Sequence, residues 1–181
     1  ALGRDDTTAL CVAQLHAADN MTDEIAALRC LARLPGDACE EALAHFYTRW
    51  NEDPLVLDKW FSTQAGAQRD DALERVDDLL GHPDFDPRNP NRFRALVRTF
   101  SRNQPAFHRI DGEGYRWLAD RVRQLDPLNP QVAARTAEAF APWRRFDDAR
   151  QALMRSQLER IAQRTGISKN LYEIVTRCLA D

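Results

Sequence analysis

The fold of this chain is decided by the stretch Asn89-Pro90-Asn91-Arg92-Phe93-Arg94-Ala95-Leu96-Val97-Arg98, near the middle of the sequence. Asparagine is a favoured residue just before a helix, and proline is tolerated at the first helical position because its missing N–H needs no partner there. Phe93, Leu96, Val97 and Phe100 then recur at helical spacing, so they form one apolar stripe. The stretch therefore predicts an amphipathic helix.

A second Asn-Pro start follows forty positions later, at Asn129-Pro130-Gln131-Val132-Ala133-Ala134-Arg135. This offset falls within the range of two-helix HEAT or armadillo repeats. Start and stop signals predict helices on both sides of these two and no strand, ten helices in all. Five of them run over about residues 7–17, 37–50, 69–80, 113–125 and 147–163, the other five begin at Asn20, Asp53, Asn89, Asn129 and Ser168, and residues 102–112 are predicted as a loop. At the start of the third helix, Asp37 and Glu40 are predicted to form a capping-box-like pair.

Short helices joined by short connections are typical of an all-α fold. The sequence predicts a superhelical stack of about ten short helices, a HEAT/armadillo-like α-solenoid, with an irregular bundle as the alternative. Length predicts a single domain over residues 1–181, since a chain of this size buries roughly 70% of its unfolded surface. The chain does not begin with Met, which favours a fragment of a larger protein over a complete one.

Composition excludes several classes of function. Hydrophobic residues make up 44% of the chain and charged residues 29%, which is typical of an ordered globular protein. The net charge of −3 gives no electrostatic reason to expect nucleic acid or an anionic membrane as a partner. No apolar run approaches the ~20 residues that span a bilayer, and residues 1–6 turn acidic where a signal peptide would be apolar. We expect a cytoplasmic protein.

The cysteines and histidines do not form a recognisable metal or catalytic motif. Cys11, Cys30, Cys39 and Cys178 contain no C-x-x-C pair, and we expect small buried or half-buried thiols in a reducing compartment. A metal site from Cys30, Cys39 and His45 is the alternative, although its ligand spacing is loose. No H-E-x-x-H motif or phosphate-binding loop occurs, so the pattern predicts neither catalytic nor metal-binding residues in this chain.

Four arginines follow the two Asn-Pro starts: Arg92, Arg94, Arg98 and Arg135. Arg94 and Arg98 share a helix face, and Arg135 occupies a comparable place in the echoing helix. Equivalent positions of successive repeats line one surface of a solenoid, and a guanidinium group can hold a carboxylate through two hydrogen bonds. Spacing alone leaves a carboxylate site and ordinary surface salt bridging both open.

The sequence resembles the C-terminal helical domain of the bacterial aminopeptidase N family, zinc-dependent alanyl aminopeptidases of the gluzincin group. The resemblance is collinear over essentially the whole chain. It rests on Ala18-Asp19-Asn20-Met21-Thr22-Asp23, Asp58-Lys59-Trp60-Phe61, Asn89-Pro90-Asn91-Arg92-Phe93-Arg94, Phe107-His108, Gly114-Tyr115, Asn129-Pro130-Gln131-Val132-Ala133 with Arg135, and Leu171-Tyr172-Glu173. The segment 101–106 is slightly shorter than the family pattern.

The resemblance implies a capping domain with no catalytic residues of its own. Family members remove N-terminal amino acids from peptides with a zinc ion bound upstream, so no cofactor is expected in this chain, and the fragment alone is expected to be inactive. The domain would close over the catalytic domain of the same polypeptide and restrict entry to short or unfolded peptide substrates. Arg94 and Arg135 match family arginines that face the enclosed chamber. A freestanding helical-repeat scaffold for protein–protein interaction is the alternative.

Overall fold

The computed structural model describes residues 4–180, so the first three residues of the acidic N-terminal segment, and Asp181, lie outside the described part. Between these limits the chain forms eleven α-helices and no β-strand. They are α1 (Arg4–Ala17), α2 (Met21–Leu31), α3 (Asp37–Trp50), α4 (Pro54–Ala65), α5 (Ala72–Leu79), α6 (Pro90–Phe93), α7 (Gln104–Phe107), α8 (Glu113–Leu125), α9 (Pro130–Ala137), α10 (Asp148–Ala162) and α11 (Lys169–Ala180).

Three further helical turns continue or connect these helices. Helix α6 runs into a π-helical turn, Arg94–Arg98, and α9 runs into a 3₁₀ turn, Glu138–Phe140. A second 3₁₀ turn, Trp143–Arg145, precedes α10. The all-helical prediction is confirmed, although the described chain has one α-helix more than the ten that were predicted.

The predicted helix starts follow from local capping. The side chains of Asn20, Asp53, Asn89, Asn129 and Asp147 each accept hydrogen bonds from backbone N–H groups two or three residues ahead. In α4, α6 and α9 a proline directly follows the capping residue. These contacts satisfy donors that a helix leaves without partners at its first turn, which is why the starts could be read from sequence.

Three local predictions were wrong. Asp37 and Glu40 do not form a capping box, because the residue before α3 is Gly36 and Glu40 instead pairs with Arg75. Helix α5 starts at Ala72, three residues later than predicted. The segment 102–112, predicted as a loop, contains the short helix α7, whose Phe107 is fully buried.

The helices stack in sequence order, as expected for a superhelical repeat. Each helix packs mainly against its near neighbours along the chain, for example α1 on α2, α4 on α5 and α10 on α11. Side-chain hydrogen bonds tie residues 34 to 42 positions apart, about one two-helix repeat. They include Arg92 to Asp58, Trp117 to Asp77, Arg150 to the carbonyl of His108, and Ser168 to Asp126.

A continuous set of buried apolar side chains runs from Leu15 in α1 to Cys178 in α11. Trp60, Trp117 and Trp143 are buried within it and Trp50 is half-buried, so the tryptophans pack in the interior. None of the described helices combines the length and the apolar character needed to cross a bilayer.

The thiols differ from expectation at one position. Cys39 and Cys178 are buried and Cys11 is half-buried, but Cys30 is exposed. Cys30, Cys39 and His45 do not form a metal site, since no group of His, Cys, Asp and Glu side chains among the described residues is suited to hold an ion. The Cys39 thiol instead accepts a hydrogen bond from the guanidinium group of Arg69 at 3.4 Å. A positively charged group therefore lies where a metal ion would need another ligand.

Candidate functional site

The arginines that follow Asn89-Pro90 have different environments although they are neighbours in sequence. The side chain of Arg92 is 6% exposed and donates from Nε to Asp58 Oδ1 at 2.6 Å. It also donates to the carbonyl of Asp84 and lies 4.9 Å from the ring centroid of Phe61. Arg94 is exposed. Arg92 therefore belongs to the packing of the fold, and Arg94 belongs to its surface.

A π-helical turn separates these two environments. Over Arg94–Arg98 the hydrogen bonding widens, so that the N–H of Thr99 bonds to the carbonyl of Arg94, five residues back. Leu96 and Val97 remain buried within the turn, whereas Arg98 is only half-buried. Single π turns inside helices occur frequently at functional sites. Here the turn places two arginines at the surface while its apolar side chains stay in the core.

Three adjoining depressions meet at these arginines. The central one, about 200 Å³, lies between α6 and α9 and is lined by Arg94, Arg98 and Arg135. The second lies toward α4 and is lined by Arg94, Arg98 and Arg102. The third lies toward α7 and is lined by Arg98, Arg102 and Arg135. We call Arg94, Arg98, Arg102 and Arg135 the arginine surface. Arg98 lines all three depressions.

Polar groups flank the arginine surface on both sides. Toward α4, Lys59 adds a further positive charge, while the carboxylate of Asp58 is engaged by Arg92. Toward α7, the lining includes Gln104, His108 and the exposed carboxylate of Glu138. Positive groups therefore outnumber negative ones around the three depressions.

The four guanidinium groups have no ion-pair partner among the residues that the structure describes. Most other arginines of the chain do: Arg150 pairs with Asp147, Arg160 with Asp120 and Arg164 with Asp126. A chain with a net charge of −3 thus concentrates unneutralised cations on one face. Such a face attracts anions, and a guanidinium group fits a carboxylate or a phosphate through two parallel hydrogen bonds.

His108 closes one end of this surface as a neutral group. Its ring stacks on Phe146 at 4.2 Å between centroids, and its Nδ1 lies 2.8 Å from the hydroxyl of Tyr115. Burial, and to a lesser extent the positive charge of Arg150, lower the pKa of His108 below the ordinary value near 6.5. At neutral pH the charge of the surface therefore comes from its arginines and Lys59.

The same lowering of histidine pKa values predicts how stability depends on pH. Burial also lowers the pKa of His82, so both rings bind protons more weakly in the folded chain than in the unfolded chain. We expect the free energy of unfolding to fall as the pH drops below about 6.5, because the unfolded chain takes up protons first. Arg69 lowers the pKa of the Asp71 carboxyl, so the stability that this pair provides is lost only when the pH falls below about 4.

Urea unfolding followed by circular dichroism at about pH 7.5 and about pH 5.5 measures this effect. The double variant His82→Gln/His108→Gln should lose most of the difference between the two pH values. An unchanged difference in the variant would show that other groups carry the dependence.

The structure places both of the sequence-predicted site residues, Arg94 and Arg135, around the central depression. Arg98, noted from its spacing but not carried forward as a site residue, lies between them. Arg102 was missed because it was assigned to a loop, although it continues the four-residue spacing of Arg94 and Arg98. That spacing was the available signal. Arg92 belongs to the same sequence pattern, but its side chain is buried and does not line any of the three depressions.

Residues 1–180 match a family model described as "Domain of unknown function (DUF3458_C) ARM repeats". The chain is 48% identical over 164 residues to aminopeptidase N of Caulobacter vibrioides, covering 90% of this chain and 19% of that protein. It is 42% identical over 171 residues to aminopeptidase N of Escherichia coli (strain K12), covering 92% of this chain and again 19% of that protein. The chain thus spans about a fifth of the length of these relatives.

A solved structure has the same fold. It is Legionella pneumophila aminopeptidase A in complex with aspartic acid, with a TM-score of 0.93 and 36% sequence identity. The superposition covers 97% of this chain and 21% of that chain. The predicted armadillo-like architecture and the resemblance to aminopeptidase N are both confirmed. This chain belongs to the DUF3458_C family of ARM-repeat domains, the helical domain that it shares with aminopeptidase N.

Proposed function

We propose that residues 1–181 are the single C-terminal helical domain of a larger aminopeptidase and cap its catalytic domain. In this role the domain closes over a chamber, admits short or unfolded peptides and orients them, and it supplies no catalytic residue. The proposal is supported by similarity to a fifth of aminopeptidase N. A cytoplasmic location stays a prediction from sequence.

The metal of the proposed parent enzyme would be bound outside this chain. Zinc in such a site polarises the scissile carbonyl and lowers the pKa of a bound water. The contribution of this chain is to position the part of the peptide remote from that reaction. Remote contacts matter to catalysis because binding energy gained there holds the reacting groups in register.

This proposal rests on the positions of Arg94 and Arg135, which line the same depression and have no acidic partner among the described residues. A peptide substrate always ends in a carboxylate unless it is chemically blocked. Two guanidinium groups on facing helices, α6 with its π turn and α9, can hold that carboxylate in a defined position. We propose that Arg94 and Arg135 bind the C-terminal carboxylate of short peptide substrates.

The test uses the parent enzyme with Arg94→Ala or Arg135→Ala. Tri-alanine should show a KM raised about tenfold, the effect of losing one hydrogen bond to a charged group. Tri-alanine amide, which lacks the carboxylate, should be hydrolysed with an unchanged KM. Arg29→Ala is a matched control, because Arg29 is exposed on α2 and does not belong to the arginine surface. Equal effects on the two substrates would contradict a carboxylate role.

A further inference from the structure

The proposed function uses two members of the arginine surface and leaves Arg98 and Arg102 without a role. Both line the depression toward α4 and the depression toward α7, and Arg98 also reaches the central one. Neither has an ion-pair partner among the described residues. They lie next to the proposed carboxylate site on its two open sides.

The positive charges of Arg98 and Arg102 affect which ligand the arginine surface would bind best. Four guanidinium groups lining adjoining depressions repel one another, and a single carboxylate between Arg94 and Arg135 neutralises only part of that charge. Arg102 is exposed and Arg98 is half-buried, so their charges stay in contact with solvent and are screened by it. A ligand with two negative charges would relieve more of the repulsion than a ligand with one. The described lining offers the exposed Glu138 as its only carboxylate not already paired with an arginine.

Covalent geometry restricts which dianion can use both sites at once. In a peptide that ends in aspartate or glutamate, the side-chain carboxylate is joined to the terminal carboxylate through only a few bonds. A terminal carboxylate in the central depression would therefore bring the side-chain carboxylate to Arg98 and Arg102 in a neighbouring depression. A peptide ending in glutamine has the same shape without the second charge.

We propose that Arg98 and Arg102 form a second anion subsite that favours peptides with an acidic C-terminal residue. The subsite rests on the proposed function, since it requires the terminal carboxylate to be bound by Arg94 and Arg135. The preference it confers concerns the far end of the substrate and is independent of the N-terminal residue that is removed.

The experiment compares Ala-Ala-Glu with Ala-Ala-Gln as substrates of the parent enzyme. The unmodified enzyme should have a KM about fivefold lower for Ala-Ala-Glu, the effect of one partly solvated ion pair. The variant Arg98→Gln/Arg102→Gln should bring the two KM values together, because it should raise the KM for Ala-Ala-Glu several-fold more than the KM for Ala-Ala-Gln. Arg29→Gln should preserve the preference. Equal KM values in the unmodified enzyme, or a preference retained in the double variant, would overturn the proposal.

Blocked peptides separate this proposal from the one on which it rests. The variant Arg94→Ala should no longer discriminate between Ala-Ala-Gln and its C-terminal amide. This loss tests the terminal carboxylate site alone. If that discrimination disappears as expected while the Glu/Gln preference is absent, only the second subsite is wrong. If the unmodified enzyme does not distinguish the free peptide from the amide, the proposed binding of the terminal carboxylate by Arg94 and Arg135 fails, and the second subsite fails with it.

The unpaired arginines could instead meet acidic groups elsewhere in the parent polypeptide. In that case Arg98→Gln/Arg102→Gln would lower the thermal unfolding midpoint of the parent enzyme, or would raise the KM for both peptides equally. Either result would overturn the subsite. An unchanged midpoint together with a selective loss of Ala-Ala-Glu affinity supports it.

Discussion

Replacing Arg92 by alanine should lower the free energy of unfolding by about 3–5 kcal/mol. The guanidinium group of Arg92 bonds to Asp58 in α4 and to the backbone of Asp84 in the loop before α6, so it joins three segments. Both partners of the ion pair are largely removed from solvent, with side-chain exposures of 6% and 18%. Removing the cation leaves the Asp58 carboxylate in this environment without its partner, which is costlier than losing an exposed pair.

Urea unfolding of Arg92→Ala against Arg94→Ala provides a matched comparison two residues apart. Arg94 is exposed and has no described ion-pair partner, so its replacement should change the stability by no more than about 0.5 kcal/mol. The π turn and the capping by Asn89 are common to both variants. Similar losses in the two would mean that the buried pair contributes little.

The second large effect is expected from Gly114→Ala, which should cost about 3 kcal/mol, the upper part of the usual range for overpacking. A Cβ at position 114 would lie 2.5 Å from the carbonyl oxygen of Phe107, 3.0 Å from its Cα and 3.1 Å from its carbonyl carbon. All three atoms are backbone, so no side-chain rotation can relieve the contact. The Phe107 ring is fully buried and contacts Phe100, Tyr115 and Phe140, which hold α7 in place.

Helix propensity alone would predict the opposite result, an increase in stability on Gly114→Ala. Within a helix, alanine is ordinarily more favourable than glycine by about 0.5–1 kcal/mol. Gly81→Ala is the control for adding a Cβ without crowding, since Gly81 follows the end of α5 and the nearest atom to its Cβ would be the Asp78 carbonyl oxygen at 3.4 Å. Thermal or urea unfolding of the two variants compares a crowded glycine with an uncrowded one. A Gly114→Ala protein as stable as the original would show that α7 moves freely against α8.

Much of the fold follows from interactions that are short in sequence. Asn89 accepts from the N–H groups of Asn91 and Arg92, and Asn129 accepts from that of Val132. A cap needs only residues within one helical turn, so the helix starts, the spacing of the apolar stripes and the forty-residue offset are all visible in the sequence. These features predict an armadillo-like stack, which the structure confirms.

Longer-range contacts account for the errors. Glu40 was predicted to cap its own helix, but Arg75, thirty-five residues later, competes for the same carboxylate. Helix α7 follows Asn103 and has Pro105 in its first turn, but the Asn103 side chain does not cap it and instead donates to the carbonyls of Ala65 and Ala67. The burial of Phe107 holds this short helix in place. Its close approach to Gly114 is likewise invisible to propensity, because it depends on how α7 crosses α8.

The candidate site divides in the same way. The sequence by itself determined which residues carry positive charge, and it placed Arg94 and Arg98 four positions apart and Arg135 at the equivalent place in the echoing helix. Only the tertiary structure decided that Arg92 is buried against Asp58, that Arg102 joins the surface, and that α6 and α9 bring the arginines around shared depressions. The physical reason is that capping and amphipathic spacing act within one helix, whereas burial and ion pairing depend on neighbours contributed by another repeat.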